Sequence, residues 1–347
     1  MSASPADPAD TRSRLAARLM ALCAMETPSG QEDAGLPDLR SWLLELGATV
    51  VEQPVAPGRT NILALWGRPR VLFSTHLDTV PPHVPPRLEG DVVWGRGACD
   101  AKGQIVAQLA AVQSLLAQGR DGLAWLGVVG EETDSAGAAA ALGLADRLQD
   151  LRVLINGEPT DLKLGTGQRG AQHVCLHCRG RAAHSGSPEL GENATWPLLD
   201  WLQRLREQPR PEDPLLGPEL WNLGLLKAGQ ALNSVPAEAE AHLLARTVPG
   251  SVLLDEIRRL APPEATVDLR LDEPPDTYPE VPGFPMAAMP FGSDAPALRI
   301  LVPDRTVVLA GPGSITVAHT LDEHLALAEL EAGIDLNRRL ALHFLGD

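Results

Sequence analysis

Four apolar runs of strand length constrain this chain more than any other feature: residues 71–75, 123–129, 151–155 and 307–309. Runs this continuous suit strands buried on both faces, as in a parallel sheet covered by helices, because a half-exposed strand alternates instead. A histidine or an acidic residue follows each run: His76, then Glu131 and Glu132, then Glu158, and His319 in the loop beyond the last. In open parallel sheets, ligands bind past the carboxyl ends of the strands, so residues far apart in sequence can converge on one site.

Between these runs the pattern turns helical. Leu15, Leu19 and Leu22 recur at helical spacing over 11–24, after a polar stretch 1–10 that reads as a tail. Ser29 and Glu32 have the form of a capping box ahead of Leu36, Leu39, Leu43 and Leu46, and Gly47 suits the end of that helix. A third helix is expected over 101–118 and a terminal one over 322–344. Strands alternating with helices predict an α/β fold with a mostly parallel sheet.

The middle third has another rhythm. Strands at 171–179, 220–227, 238–245 and 265–271, with helices at 196–207 and 251–260, give the order βαββαβ of a ferredoxin-like unit. At 347 residues the chain exceeds the roughly 250–300 at which one core stops growing. The expected division is a domain of residues 1–168 and 274–347, interrupted by an inserted α+β domain of residues 169–273.

A net charge of -16 and a pI near 5.0 oppose nucleic-acid or anionic-membrane partners, which need a basic surface. Four irregularly spaced cysteines do not make a disulfide framework. The N-terminal stretch shows no apolar signal region, and no run approaches the ~18 apolar residues of a membrane span. Together these features predict a cytoplasmic location. His173, Cys175 and His177 share one face of their strand but lack a fourth ligand, so they read as an ordinary strand. His324 is expected to be exposed near the start of the terminal helix.

Histidines with several carboxylates suit Zn²⁺ or a similar divalent ion. His76, Asp100, Glu158 and His319, with one of the adjacent pair Glu131 and Glu132, could hold two ions if Asp100 bridged them from its tight loop, residues 95–100. Adjacent side chains diverge, so the other glutamate is left as a general base. Asp78 can accept the ring N–H that metal binding leaves on His76.

The segments His76-Leu-Asp78-Thr-Val-Pro81, Gly95-Arg-Gly-Ala-Cys-Asp100-Ala-Lys-Gly103, Gly130-Glu131-Glu132, Gly157-Glu158-Pro-Thr160 and Gly311-Pro-Gly-Ser-Ile-Thr-Val-Ala-His319-Thr resemble the M20 metallopeptidases, the group of acetylornithine deacetylase and succinyl-diaminopimelate desuccinylase. The resemblance implies a zinc-exopeptidase-like catalytic domain carrying an inserted lid that can form a homodimer. It implies that His76 and Glu158 hold one zinc, Glu132 and His319 the other, with Asp100 as bridge and Glu131 as general base. Cobalt could replace zinc. The peptide bond after Asp100 would be cis. His184 would stabilise an oxyanion, and Asn233, Arg246 and Ser293 would contact substrate. The family often has an acidic residue two positions before that arginine, where this chain has Leu244.

The expected activity is hydrolysis of the amide of a small N-acyl amino acid. The alternative within the family is a dipeptidase or carboxypeptidase acting on short peptides. The alternative of another class is a metal-free binding protein, against which the full donor set argues.

Overall fold

The computed structural model describes residues 8–302 and 306–346. Of the polar tail expected over residues 1–10, residues 1–7 lie outside the described part, whereas Pro8 already opens a helix. The chain divides into two compact units, one of Met1–Thr166, Tyr278–Ala287 and Ser293–Asp347, the other of Gly167–Thr277 with Ala288–Gly292.

In chain order the first unit contributes α1 (Pro8–Ala24), α2 (Leu36–Glu45), β1 (Thr49–Ala56), β2 (Arg59–Trp66), β3 (Val71–His76), α3 (Lys102–Ala117), β4 (Leu123–Val128) and β5 (Val153–Asn156). The second unit then supplies β6 (Gly170–Arg179), α4 (Thr195–Arg206), β7 (Leu220–Ala228), β8 (Glu238–Thr247), α5 (Leu253–Leu260) and β9 (Ala265–Glu273). Back in the first unit follow β10 (Val307–Leu309) and α6 (Leu327–Leu345).

The six-stranded sheet of the first unit has the order β1-β2-β4-β3-β5-β10. The four apolar runs are β4, β3, β5 and β10, side by side and parallel. β1 and β2 form an antiparallel hairpin added at the β4 edge, which the apolar runs did not reveal. Every residue of β3 and β4 is buried. Their side chains join Leu19 and Leu22 of α1, Leu39 and Leu43 of α2, Ile105 and Leu109 of α3, and Leu330 and Leu340 of α6 in one core. Polar pins fix α3 on this sheet: Trp125 Nε1 donates to Gln108 Oε1 at 2.9 Å, and Gln108 Nε2 donates to the Ser74 carbonyl at 3.0 Å. Both are buried, where an unmade bond would cost about 1–3 kcal/mol.

In the second unit the antiparallel order is β7-β8-β6-β9, the ferredoxin-like arrangement. Val174 and Leu176 of β6 and Ala241 and Leu243 of β8 pack with Leu198 and Trp201 of α4 and Ile257 of α5 on one face. Alternation therefore sends His173, Cys175, His242 and Asp268 to the other face. β7 is an edge strand, exposed over most of its length.

Two local expectations fail. Ser29 does not cap α2, because its hydroxyl donates to Asp78 Oδ2 at 2.7 Å, and a short 3₁₀ turn, Glu32–Gly35, precedes the helix. The terminal helix starts at Leu327 rather than 322, because His324–Ala326 pairs as a strand with Val92–Trp94.

Candidate metal centre

The end of β3 presents His76, and the cis peptide Asp100–Ala101 turns the chain from the 95–100 loop into α3. That loop is anchored by Glu323, whose carboxylate accepts the backbone N–H groups of Cys99 (3.1 Å) and Asp100 (3.0 Å) and pairs with Arg96 at 2.6 Å. Arg96 and Glu323 are both 1% exposed, and no strand-end pattern pointed to either.

Asp100 then faces two ways. Its Oδ1 lies 2.9 Å from His76 Nε2 and its Oδ2 lies 3.4 Å from His319 Nε2. His319, in a left-handed backbone conformation, also meets Glu132 Oε1 at 2.9 Å. Donor atoms of His76, Asp100 and Glu158 lie within 4.8 Å of one another, as do those of Asp100, Glu132 and His319, and those of His76, Glu131 and Glu132. Asp100 thus belongs to two groups of three donors.

Asp78 organises the surroundings. Its carboxylate accepts the backbone N–H groups of Gly130, Glu131 and Glu132 at 3.1–3.2 Å and the Ser29 hydroxyl. His76 Nδ1 meets the Asp78 main-chain carbonyl at 2.9 Å and its carboxylate at 3.4 Å. The nearer acceptor is therefore the carbonyl. Asp78 thus sets the tautomer of His76 through its carbonyl and holds the turn carrying the paired glutamates through its carboxylate.

Burial pushes the carboxyls of Glu131 and Glu158 well above the usual range, and the neighbouring carboxylates, Asp294 included, push them further. Hydrogen bonds donated to the carboxylates of Asp100 and Glu132 raise His319 to about 10. Burial opposes the charge on His76, yet its bonds to Asp100 and Asp78 leave it raised as well. Protons on these histidines and acids neutralise a negative cluster, a role that divalent cations fill when nitrogen and oxygen donors converge. The residues present therefore fit such ions.

The remaining expected site residues are distributed between the units. Ser293, in the first, is buried, and its Oγ accepts the Ala295 N–H at 3.3 Å. His184, Asn233 and Arg246 are in the second. His184 is exposed, its Nδ1 accepting the Gly186 N–H at 3.1 Å, and the Asn233 carbonyl accepts the Ser185 N–H at 3.0 Å. Asp294, next to Ser293 in the segment Gly292–Ala295 that resembles the family's substrate-binding positions, is buried as well. His324 is half-buried in its short strand against Trp94. His173 and Cys175 do find a third metal-type donor, but it is His242 from β8 and not His177.

Fold and donor set define an α/β protein with a cluster suited to two cations at the carboxyl ends of its parallel strands. Residues 72–343 match the family Peptidase family M20/M25/M40, and the chain belongs to that family of hydrolases. It is 34% identical over 364 residues to a probable carboxypeptidase of Aspergillus clavatus, covering 92% of this chain and 80% of the relative. A tripeptidase from Staphylococcus aureus superposes with a TM-score of 0.78 at 20% identity, covering 95% of this chain and 98% of that one. A Bacillus subtilis protein described as a dinuclear metal binding peptidase from M20 family superposes with a TM-score of 0.72 at 15% identity, covering 97% and 99%. Among the described residues, no helix is long and apolar enough to cross a membrane.

Proposed function

We propose that this chain is a metal-dependent exopeptidase that cleaves a peptide bond in dipeptides or at the carboxyl end of short peptides. The observation carrying this reading is the double membership of Asp100 in two three-donor groups. Support for a peptide substrate comes from the carboxypeptidase and tripeptidase names of its relatives, which favour this alternative over the N-acyl amino acid substrate expected first.

In this reading His76, Asp100 and Glu158 hold one ion and Asp100, Glu132 and His319 the other, with Zn²⁺ or Co²⁺ the ions of choice for such donors. Bound there, the pair supplies Lewis acidity towards the scissile carbonyl and the attacking water. Glu131 is the general base: its carboxylate takes a proton from the water as the C–O bond forms and delivers it to the amine nitrogen as the C–N bond breaks. Asp78 acts through others, orienting His76 and the Glu131–Glu132 turn. Arg246 and Asn233 suit the free carboxylate of a peptide, Ser293 is a further substrate contact, and His184 supplies a donor to the developing oxyanion. Residues 1–168 and 274–347 then form the catalytic domain, and 169–273 the lid.

The lid is also the proposed dimer surface. β7 exposes Leu220, Leu225 and Leu226 along an unpaired sheet edge, with Leu244 beside it on β8, an arrangement that a second copy of this chain can cover.

A screen of free dipeptides, N-blocked dipeptides and N-acetyl amino acids, with added Zn²⁺ or Co²⁺ and with chelator, tests the activity. Faster turnover of peptides, lost with chelator, is the expected outcome. Faster turnover of N-acetyl amino acids would return the deacylase reading, and bound metal without any hydrolysis would leave a binding protein.

A further inference from the structure

We propose that the open face of the second unit's sheet carries a separate zinc site formed by His173, Cys175 and His242. The three residues come from the two central strands. Cys175 of β6 lies opposite His242 of β8 in the register, and His173 is two residues along β6 on the same face. Their donor atoms converge: His173 Nε2 is 3.1 Å from His242 Nδ1, and Cys175 Sγ is 3.3 Å from His242 Nδ1 and 3.6 Å from His173 Nε2.

Tetrahedral zinc, with bonds of about 2.05 Å to nitrogen and 2.3 Å to sulfur, sets neighbouring ligands roughly 3.3 Å (N···N) and 3.6 Å (N···S) apart. The observed triangle falls within a few tenths of an ångström of one face of that tetrahedron. A hydrogen-bonded trio would need only two short contacts, whereas here all three edges are short. The far ring nitrogen of His242 lies 3.8 Å from Glu240 Oε1, so the carboxylate favours the proton on Nε2 and leaves the Nδ1 lone pair turned inward.

One thiolate with two imidazoles selects zinc-like borderline ions over Mg²⁺ and Ca²⁺. On binding, the thiol proton leaves to solvent and sulfur takes up the cation. His173 and His242 are both partly exposed, so water can complete the fourth position. Three protein ligands and an open position also describe a site that can accept a donor from a ligand or a partner.

Cobalt separates this site from the carboxylate cluster, because no sulfur is among that cluster's three-donor groups. Full-length protein saturated with Co²⁺ should show a thiolate-to-Co(II) charge-transfer band in the near ultraviolet. The band should vanish in Cys175→Ala, persist in Cys99→Ala, and be accompanied in Cys175→Ala by one fewer bound equivalent than in the parent chain. His242→Gln, at a partly exposed position, should also remove or shift the band, which keeps the test decisive if Cys175→Ala does not fold. Glu240→Gln should weaken Co²⁺ binding at this site by about tenfold. No band at saturating Co²⁺, or a band unchanged by His242→Gln, would overturn the proposal.

Discussion

The two sheets handle polar side chains in opposite ways. In the first unit, helices and hairpin leave β3 and β4 buried throughout, so their own side chains are mostly apolar and chemistry collects past the strand ends. In the second unit, α4 and α5 cover one face only, and polar groups sit in mid-strand on the other. A buried sheet forces donors from five separate segments to meet at one end of its strands. A half-open sheet lets two neighbouring strands assemble a cluster by register alone. The first arrangement holds its donors through an outer frame of Asp78, Ser29, Arg96 and Glu323, while the second rests on the ladder and the nearby carboxylates of Glu240 and Asp268.

If the strand-end cluster is the catalytic one, its bridge carries the largest effect. Asp100→Ala should cut kcat/KM by about 10⁴-fold or more and lower the metal held at this cluster from two ions to one or none, since the remaining ions would repel each other unshielded. Two ions retained at the cluster by Asp100→Ala, measured by elemental analysis in a Cys175→Ala background that removes the second unit's site, would break the shared-bridge assignment. Glu131→Ala should lower kcat by between about 10² and 10⁴ while metal content stays at the parent level, because proton transfer and not ligation is removed. Metal lost together with activity would make Glu131 a ligand.

The smallest effect sharpens the role of the second unit. His184→Ala should lower kcat by about 10², the scale of one oxyanion donor, with metal content unchanged. In a dimer that shares this residue between subunits, mixing Glu131→Ala with His184→Ala chains should restore activity, since one site in each mixed dimer regains both groups. Absence of recovery after verified subunit exchange would confine His184 to its own chain's site or remove it from catalysis.

Sequence by itself determined the parts that depend on local pattern. Largely apolar runs named four parallel strands, alternation and helical spacing named the βαββαβ unit, and the position of a histidine or acid after each run pointed to His76, Glu131, Glu132, Glu158 and His319. Tertiary structure decided what depends on meeting. The β1–β2 hairpin on the sheet edge escaped notice because no histidine or acid follows the apolar run of residues 62–66 in β2, and β1 is broken by Glu52, Gln53 and Pro54. Glu323 holds the Asp100 loop across more than two hundred residues, and Ser29 leaves a local cap for a distant carboxylate. His242 joined His173 and Cys175 only through the β6–β8 register, which no single strand encodes. Side-chain periodicity is a property of one segment, but a hydrogen bond or a donor triangle belongs to two or three, and their pairing is settled by the burial of apolar faces elsewhere in the molecule.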